Sequence, residues 1–257
     1  MRDSLLNHTL STVGELLATS SIFGLILYSQ IYLKIHQRII FLFIPCCIVC
    51  LLFYGGMLGY LHETKLALQF IGNLCIIFLI IKYFDKLFVS LKVIWYTYQY
   101  RLFILGTIFL FVLTRLPQYE MLISFDDIGH WARTTKLISL NQHLIMADDS
   151  LGVKTYPPGI ALFQYYFGIL TPISHIGMFY AQSIFVLCTL TPIASNANAN
   201  GQQKICANLL FIFIVLGTFN IAFHSLNGDL WVACLWGAGL AAYYFSPRRS
   251  LATILFT

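Results

Sequence analysis

Apolar residues run through this chain in blocks of about 20, the length a helix needs to cross a bilayer. Four such blocks come first: Val13 to Leu33, Ile39 to Leu61, Leu66 to Phe84 and Leu102 to Pro117. The chain then turns polar from Gln118 to Pro157, its one long hydrophilic segment. Apolar runs resume at Ile160 to Leu170, Ser174 to Ala194, Ile205 to Phe223 and Leu230 to Phe245, and Leu251 to Thr257 reads as the start of a further helix. Ile160 to Leu170 is too short to span and is expected to lie at the interface as a juxtamembrane helix. The pattern predicts an all-α fold: a polytopic transmembrane helical bundle of about seven spans with a long loop that carries short amphipathic helices. It divides the chain into spans over 1–117, the loop over 118–173, and further spans over 174–257, the last incomplete, so that the sequence reads as a fragment or a truncated frame.

Composition supports lipid as the main solvent. Apolar residues make up 59% of the 257 residues and charged ones 10%, too few to cover a soluble core. The net charge of +5 does not mark a nucleic-acid binder, because the basic residues are scattered between apolar runs instead of forming a stripe. They read as a topology signal. Lys34 and Arg38, then Lys82, Lys86, Lys92 and Arg101, then Arg248 and Arg249 mark cytoplasmic ends. That places the N-terminus and the polar loop outside, the turn from His224 to Asp229 outside, and Ser195 to Lys204 inside. The expected location is a bacterial plasma membrane, with membrane lipids as partners and no nucleic acid. The cysteines fall almost entirely inside apolar runs and read as packing residues; Cys46, Cys47 and Cys50 lack the further ligands of a zinc site.

The loop holds most of the chemistry. Five carboxylates, Glu120, Asp126, Asp127, Asp148 and Asp149, stand against Arg115, Arg133, Lys136 and Lys154. The run from Phe125 to Lys136 predicts a short amphipathic helix starting at the acidic pair. Asp127, His130 and Thr134 share one face, and Ile128, Trp131, Thr135 and Ile138 the other. Simpler roles stand beside functional ones: an Asp can cap this helix, Trp131 can sit in an interfacial aromatic belt, and His130 can be a structural hydrogen-bond partner. Downstream, Tyr156-Pro157-Pro158-Gly159 makes a rigid entry into the next helix, with Pro158 suited to its first turn.

The pattern DDxxHW over Asp126 to Trp131, Lys136 shortly after it, and YPPG about 20 residues further on resembles multi-pass glycosyltransferases of the GT-C superfamily, in the protein mannosyltransferase and aminoarabinose transferase branches. In those branches an acidic pair opens a large external loop and a PPG-like element starts a juxtamembrane helix. Asp229, in Asn227-Gly228-Asp229-Leu230, looks like a further Asp that recurs at the outer end of a later span, and it can equally cap its helix. The likeness covers about 45 residues, and the acidic loop here follows a fourth span instead of a first.

The resemblance implies transfer of a sugar from a polyprenyl-phosphate donor to a lipid, glycan or protein acceptor at the outer membrane face. Asp126 first, Asp127 second, are the expected catalytic bases, since a carboxylate at that boundary can take the acceptor's proton. Substrate contacts are expected from His130, Trp131, Arg133, Lys136, Lys154, Tyr156 and Asp229, the cations offsetting the charge on the departing phosphate. No cofactor is implied with certainty; a divalent metal is used by some relatives, but two adjacent carboxylates and one His do not complete a hard-cation site. Two other readings compete: a transporter or flippase, which would carry its ionisable groups inside the spans, and an envelope polysaccharide polymerase or ligase, which would have more arginine in the loop.

Overall fold

The computed structural model describes residues 2–84, 94, 97–115, 131–145, 158–168, 173–194, 232 and 234–240, and the side chains of most of them. Among these residues the fold is all-helical. α1 is Arg2–Tyr32, α2 Gln37–Met57, α3 Leu61–Lys82, α4 Tyr98–Leu113, α5 Ala132–Asn141, α6 Gly159–Phe167 and α7 His175–Ala194. Three stretches are long and apolar enough to cross a membrane: Thr9–Tyr32, Ile39–Met57 and Leu61–Lys82. Tyr98–Leu113 and His175–Thr191 are apolar but shorter.

Ring and polar contacts give the directions. Ser20 meets Asn73, Tyr28 meets Phe78, and Lys82 Nζ lies 4.8 Å from the centre of the Tyr32 ring, so α1 and α3 run parallel. Phe23 stacks on Phe103 and Arg115 reaches Glu15, so α4 runs antiparallel to α1. Phe111 packs on Tyr180, and Gly106 abuts Leu187, so α7 runs antiparallel to α4. One end of the bundle, here termed the loop end, therefore collects the start of α1, the α2–α3 corner, the exit of α4 and the start of α7.

Small residues allow the closest crossing. A Cβ on Gly24 would collide with the backbone oxygen of Gly72, and one on Gly72 with that of Ser21, so the α1 and α3 backbones touch as small-residue motifs permit in membranes. The α2–α3 corner closes by Tyr60 N donating to Gly55 O (2.7 Å) and Gly59 N to Gly56 O (3.1 Å), with Gly59 at φ +80°. That is the paired hydrogen-bond pattern of a glycine-terminated helix, and it ends the second expected span before Leu61. The third begins earlier than Leu66: His62, Glu63 and Lys65 belong to α3, because the Lys65 side chain is taken into the protein instead of ending the helix.

The chain stands at the loop end at Leu144, which packs against Gly56, and again at Ser174, beside Ser11. Between them α6 lies inside the bundle. Its start, Gly159, faces Val49, which is eight residues and about 12 Å along α2 from Met57. Phe163 packs on Phe185 at 5.1 Å between ring centres, ten residues or about 15 Å into α7. Phe167 packs on Tyr180 nearer the loop end. Residues Ile160 to Phe167 are all buried. The helix expected at the membrane interface is enclosed by protein along its length, as suits a sequence that is apolar all round apart from Gln164.

Candidate functional site

Of the residues singled out above, Trp131, Arg133 and Lys136 are described; Asp126, Asp127, His130, Lys154, Tyr156 and Asp229 lie outside the described residues. Arg133 and Lys136 lie on α5, and Trp131 directly precedes it. Ala132, Thr135 and Ile138 are buried and Trp131 half-buried, so the expected apolar face exists, but it packs onto protein: Thr135 Oγ1 donates to Gln164 Oε1 of α6 at 2.6 Å. Thr134, expected on the opposite face, is buried too. Arg133 and Lys136 are exposed. Lys136 Nζ stands 2.7 Å from His175 Nε2.

Beside His175 lies a pair that local pattern does not join, Glu15 and Arg115. Glu15 is 1% exposed. Arg115 Nη2 donates to Glu15 Oε2, and Ser11 Oγ stands 3.2 Å from Glu15 Oε1 and 3.3 Å from Ser174 Oγ. Ser174 caps α7 by accepting from Gly177 N at 3.0 Å. The carboxylate lies against that first turn, since a Cβ on Gly177 would stand 2.8 Å from Glu15 Oε1. The positive end of α7 therefore adds to the stabilisation of the anion.

The guanidinium is held from several directions. Its Nη1 donates to Phe111 O (3.2 Å) and Thr114 Oγ1 (3.0 Å). Its Cζ lies 3.7 Å from the Phe111 ring centre and 5.3 Å from that of Tyr180. Tyr180 OH in turn meets Thr19 Oγ1 at 3.1 Å, and Thr19 donates to Glu15 O at 2.8 Å. α1, the α4 exit and the α7 start are thus tied at one point.

A second polar cluster closes the far end of α6. Lys65, 2% exposed, donates to Gly168 O at 2.8 Å and lies 4.1 Å above the Tyr165 ring. Gln69, one turn along α3, donates to Tyr166 O. Both bonds satisfy carbonyls that a helix leaves open at its C-terminus. Tyr165 OH and His62 share Gln142 Oε1 as acceptor, and Gln142 itself, at φ +58°, terminates α5. Tyr166 OH meets Ser21 Oγ at 2.6 Å.

Neither Glu15 nor Lys65 is among the residues expected above to carry chemistry. The signal for Glu15 was present: it is the one acidic residue between Thr9 and Tyr32, and ionisable groups inside spans are costly unless paired. Its partner, 100 positions away, leaves no local mark. No group of three or more His, Cys, Asp or Glu that could hold a metal occurs among the described residues. Comparison with known proteins gives no match: no family model, no curated protein and no solved structure.

Proposed function

We propose that this chain is a multi-pass membrane glycosyltransferase of the GT-C type, which moves a sugar from a polyprenyl-phosphate donor to an acceptor at the outer membrane face. In this reading the bundle has about seven spans, its loop end faces outward, and the membrane is a bacterial plasma membrane. The acceptor's hydroxyl or amine attacks the anomeric carbon and loses its proton to Asp126, or failing that Asp127. The bond from that carbon to the phosphate oxygen breaks, and polyprenyl phosphate leaves with the electron pair. Arg133 and Lys136 supply positive charge near the leaving group.

One observation carries the reading beyond the DDxxHW and YPPG likeness. The exit of α4 and the start of α5, between which Asp126 and Asp127 are strung, meet the start of α7 at one end of the bundle through Arg115 and the Lys136–His175 contact. Cationic and neutral donors are thereby gathered where both ends of the acidic segment attach. Asp126→Asn or Asp127→Asn is expected to lower transfer of sugar from a polyprenyl-phosphate donor by about 10² to 10⁴, with membrane insertion unchanged. Full transfer by both variants would remove the base assignment.

A transporter is the second reading. It is favoured by Glu15 and Lys65, two charged side chains enclosed within helices of spanning length, and by the short helix α6 inside the bundle, since transport sites use broken helices and buried ions. Sealed vesicles separate the two: flux of substrate with no new glycosidic bond marks a transporter, and a new bond marks the transferase.

A further inference from the structure

We infer that the start of α6 is a binding site for a monovalent anion, set inside the bundle. The site stands whether the chain is a transferase or a transporter. The two ends of this short helix are treated unequally. At the C-terminal end, Lys65 donates to Gly168 O and Gln69 to Tyr166 O, so the carbonyls at the helix's negative end are met by a cation and an amide. At the N-terminal end nothing corresponds. No side chain caps the helix at Pro158, and the first turn has no acidic residue. Leu162 N donates to Pro158 O at 2.8 Å, but the N–H groups of Gly159, Ile160 and Ala161 have no acceptor among the described residues.

Such donors are costly to leave open at this depth. Gly159 faces Val49, near the middle of the stretch Ile39–Met57 that is long and apolar enough to cross a membrane, where an unmet backbone group is expensive. A further donor lies over the same turn. Gln164 is 0% exposed, its Oε1 accepts from Thr135 Oγ1, and its Nε2 has no hydrogen-bond partner. A helical side chain leans toward the N-terminus, over the residues three and four positions before it, which for Gln164 are Ala161 and Ile160. The open groups at the start of α6 are thus all donors, and the helix dipole adds positive potential there. The partner that fits them is an acceptor with negative charge.

That charge is single. Among the described residues no ion pair or hydrogen bond brings a lysine or arginine to this turn, and Lys65 meets the opposite end of α6, about 13 Å away along nine residues. Amides alone suit a monoanion, whereas a phosphate dianion would meet a far larger desolvation cost with no cation beside it. A bound monoanion would also balance the buried charge of Lys65, which has no anionic partner among the described residues. The turn can be reached, since Pro158 and Gly159 are only half-buried, ahead of the wholly buried run Ile160 to Phe167. Chloride, or a carboxylate as small as formate, has this chemistry.

The test uses the full chain in detergent and needs no assay of activity. The melting temperature is followed as sodium chloride or sodium formate replaces sodium gluconate at constant ionic strength. It should rise and saturate with either small anion, as for a ligand that binds only the folded state; no difference from gluconate overturns the proposal. Gln164→Leu removes the side-chain donor and should need about tenfold more chloride for half the rise, the worth of one hydrogen bond to a charged group. Unchanged half-saturation in that variant overturns the site. Gly159→Asp supplies a carboxylate in the first turn, and its Cβ would meet only Val49 Cγ1, at an ordinary contact of 3.6 Å. It should melt higher than the wild type in gluconate and show no response to chloride. The wild type should also broaden the chloride NMR line, with formate reversing the effect. Broadening as strong in Gly159→Asp overturns the site, even if Gln164→Leu does not fold.

Discussion

Glu15 is charged, almost wholly out of solvent, and placed where a single carbon atom could disturb it. Removing one member of such a pair typically costs about 3–5 kcal/mol, because the other ion is left buried without a partner. Replacing both with apolar residues of similar size costs far less. The pair thus predicts a strong dependence on its neighbours. Gly177→Ala leaves both ions in place, yet its Cβ would stand 2.8 Å from Glu15 Oε1 and 2.9 Å from Ile173 Cγ1. The carboxylate must move, and we expect a clear loss of thermal stability in detergent, by about 1–3 kcal/mol for an overpacked site. In a chain already carrying Glu15→Ala with Arg115→Met, where the carboxylate is gone and only the Ile173 contact remains, Gly177→Ala should lose less; an equal loss in both backgrounds would show that Gly177 is crowded by something other than the carboxylate. Lys65 illustrates a different residue-scale solution: a cation enclosed among uncharged described partners, stabilised by a helix C-terminus and a ring face.

At the scale of elements, the α1–α3 crossing depends on glycine where two backbones touch. Gly24→Leu is expected to separate α1 from α3 and lower detergent stability by more than Leu25→Ala, since Leu25 is only partly buried. Similar stability for the two variants would refute the close crossing. The apolar runs made α2 legible nearly end to end, because lipid-length hydrophobicity and the Gly59 turn are both local signals. The start of α3 was not legible: Lys65 looks like a residue that ends a span, and only its bond to Gly168 O, 103 positions away, shows otherwise. α6 was legible as a helix too short to span, with Pro158 directly before it. Its enclosure was not, because an apolar nine-residue helix can satisfy its sequence equally well against lipid or protein. The apolar face of α5 was readable from its spacing, whereas its partner Gln164 was not.

For the whole molecule, the alternating directions of α1, α2, α3, α4 and α7 put Leu58 and Leu33 at opposite ends, both exposed. In a chain with its native cysteines replaced, Leu58→Cys should react with an impermeant maleimide from outside and Leu33→Cys only after the membrane is opened. The reverse pattern would overturn the proposed orientation while leaving the bundle intact. The position of α6 also bears on how the chain is made. Its partners Phe185 and Tyr180 belong to α7, which the ribosome delivers later. In the proposed multi-pass reading, α6 is too short to leave the translocon as a span of its own and waits beside the earlier helices until α7 arrives to enclose it. Nascent chains stalled before α7 should thus expose α6 to protease, and chains stalled well beyond it should not.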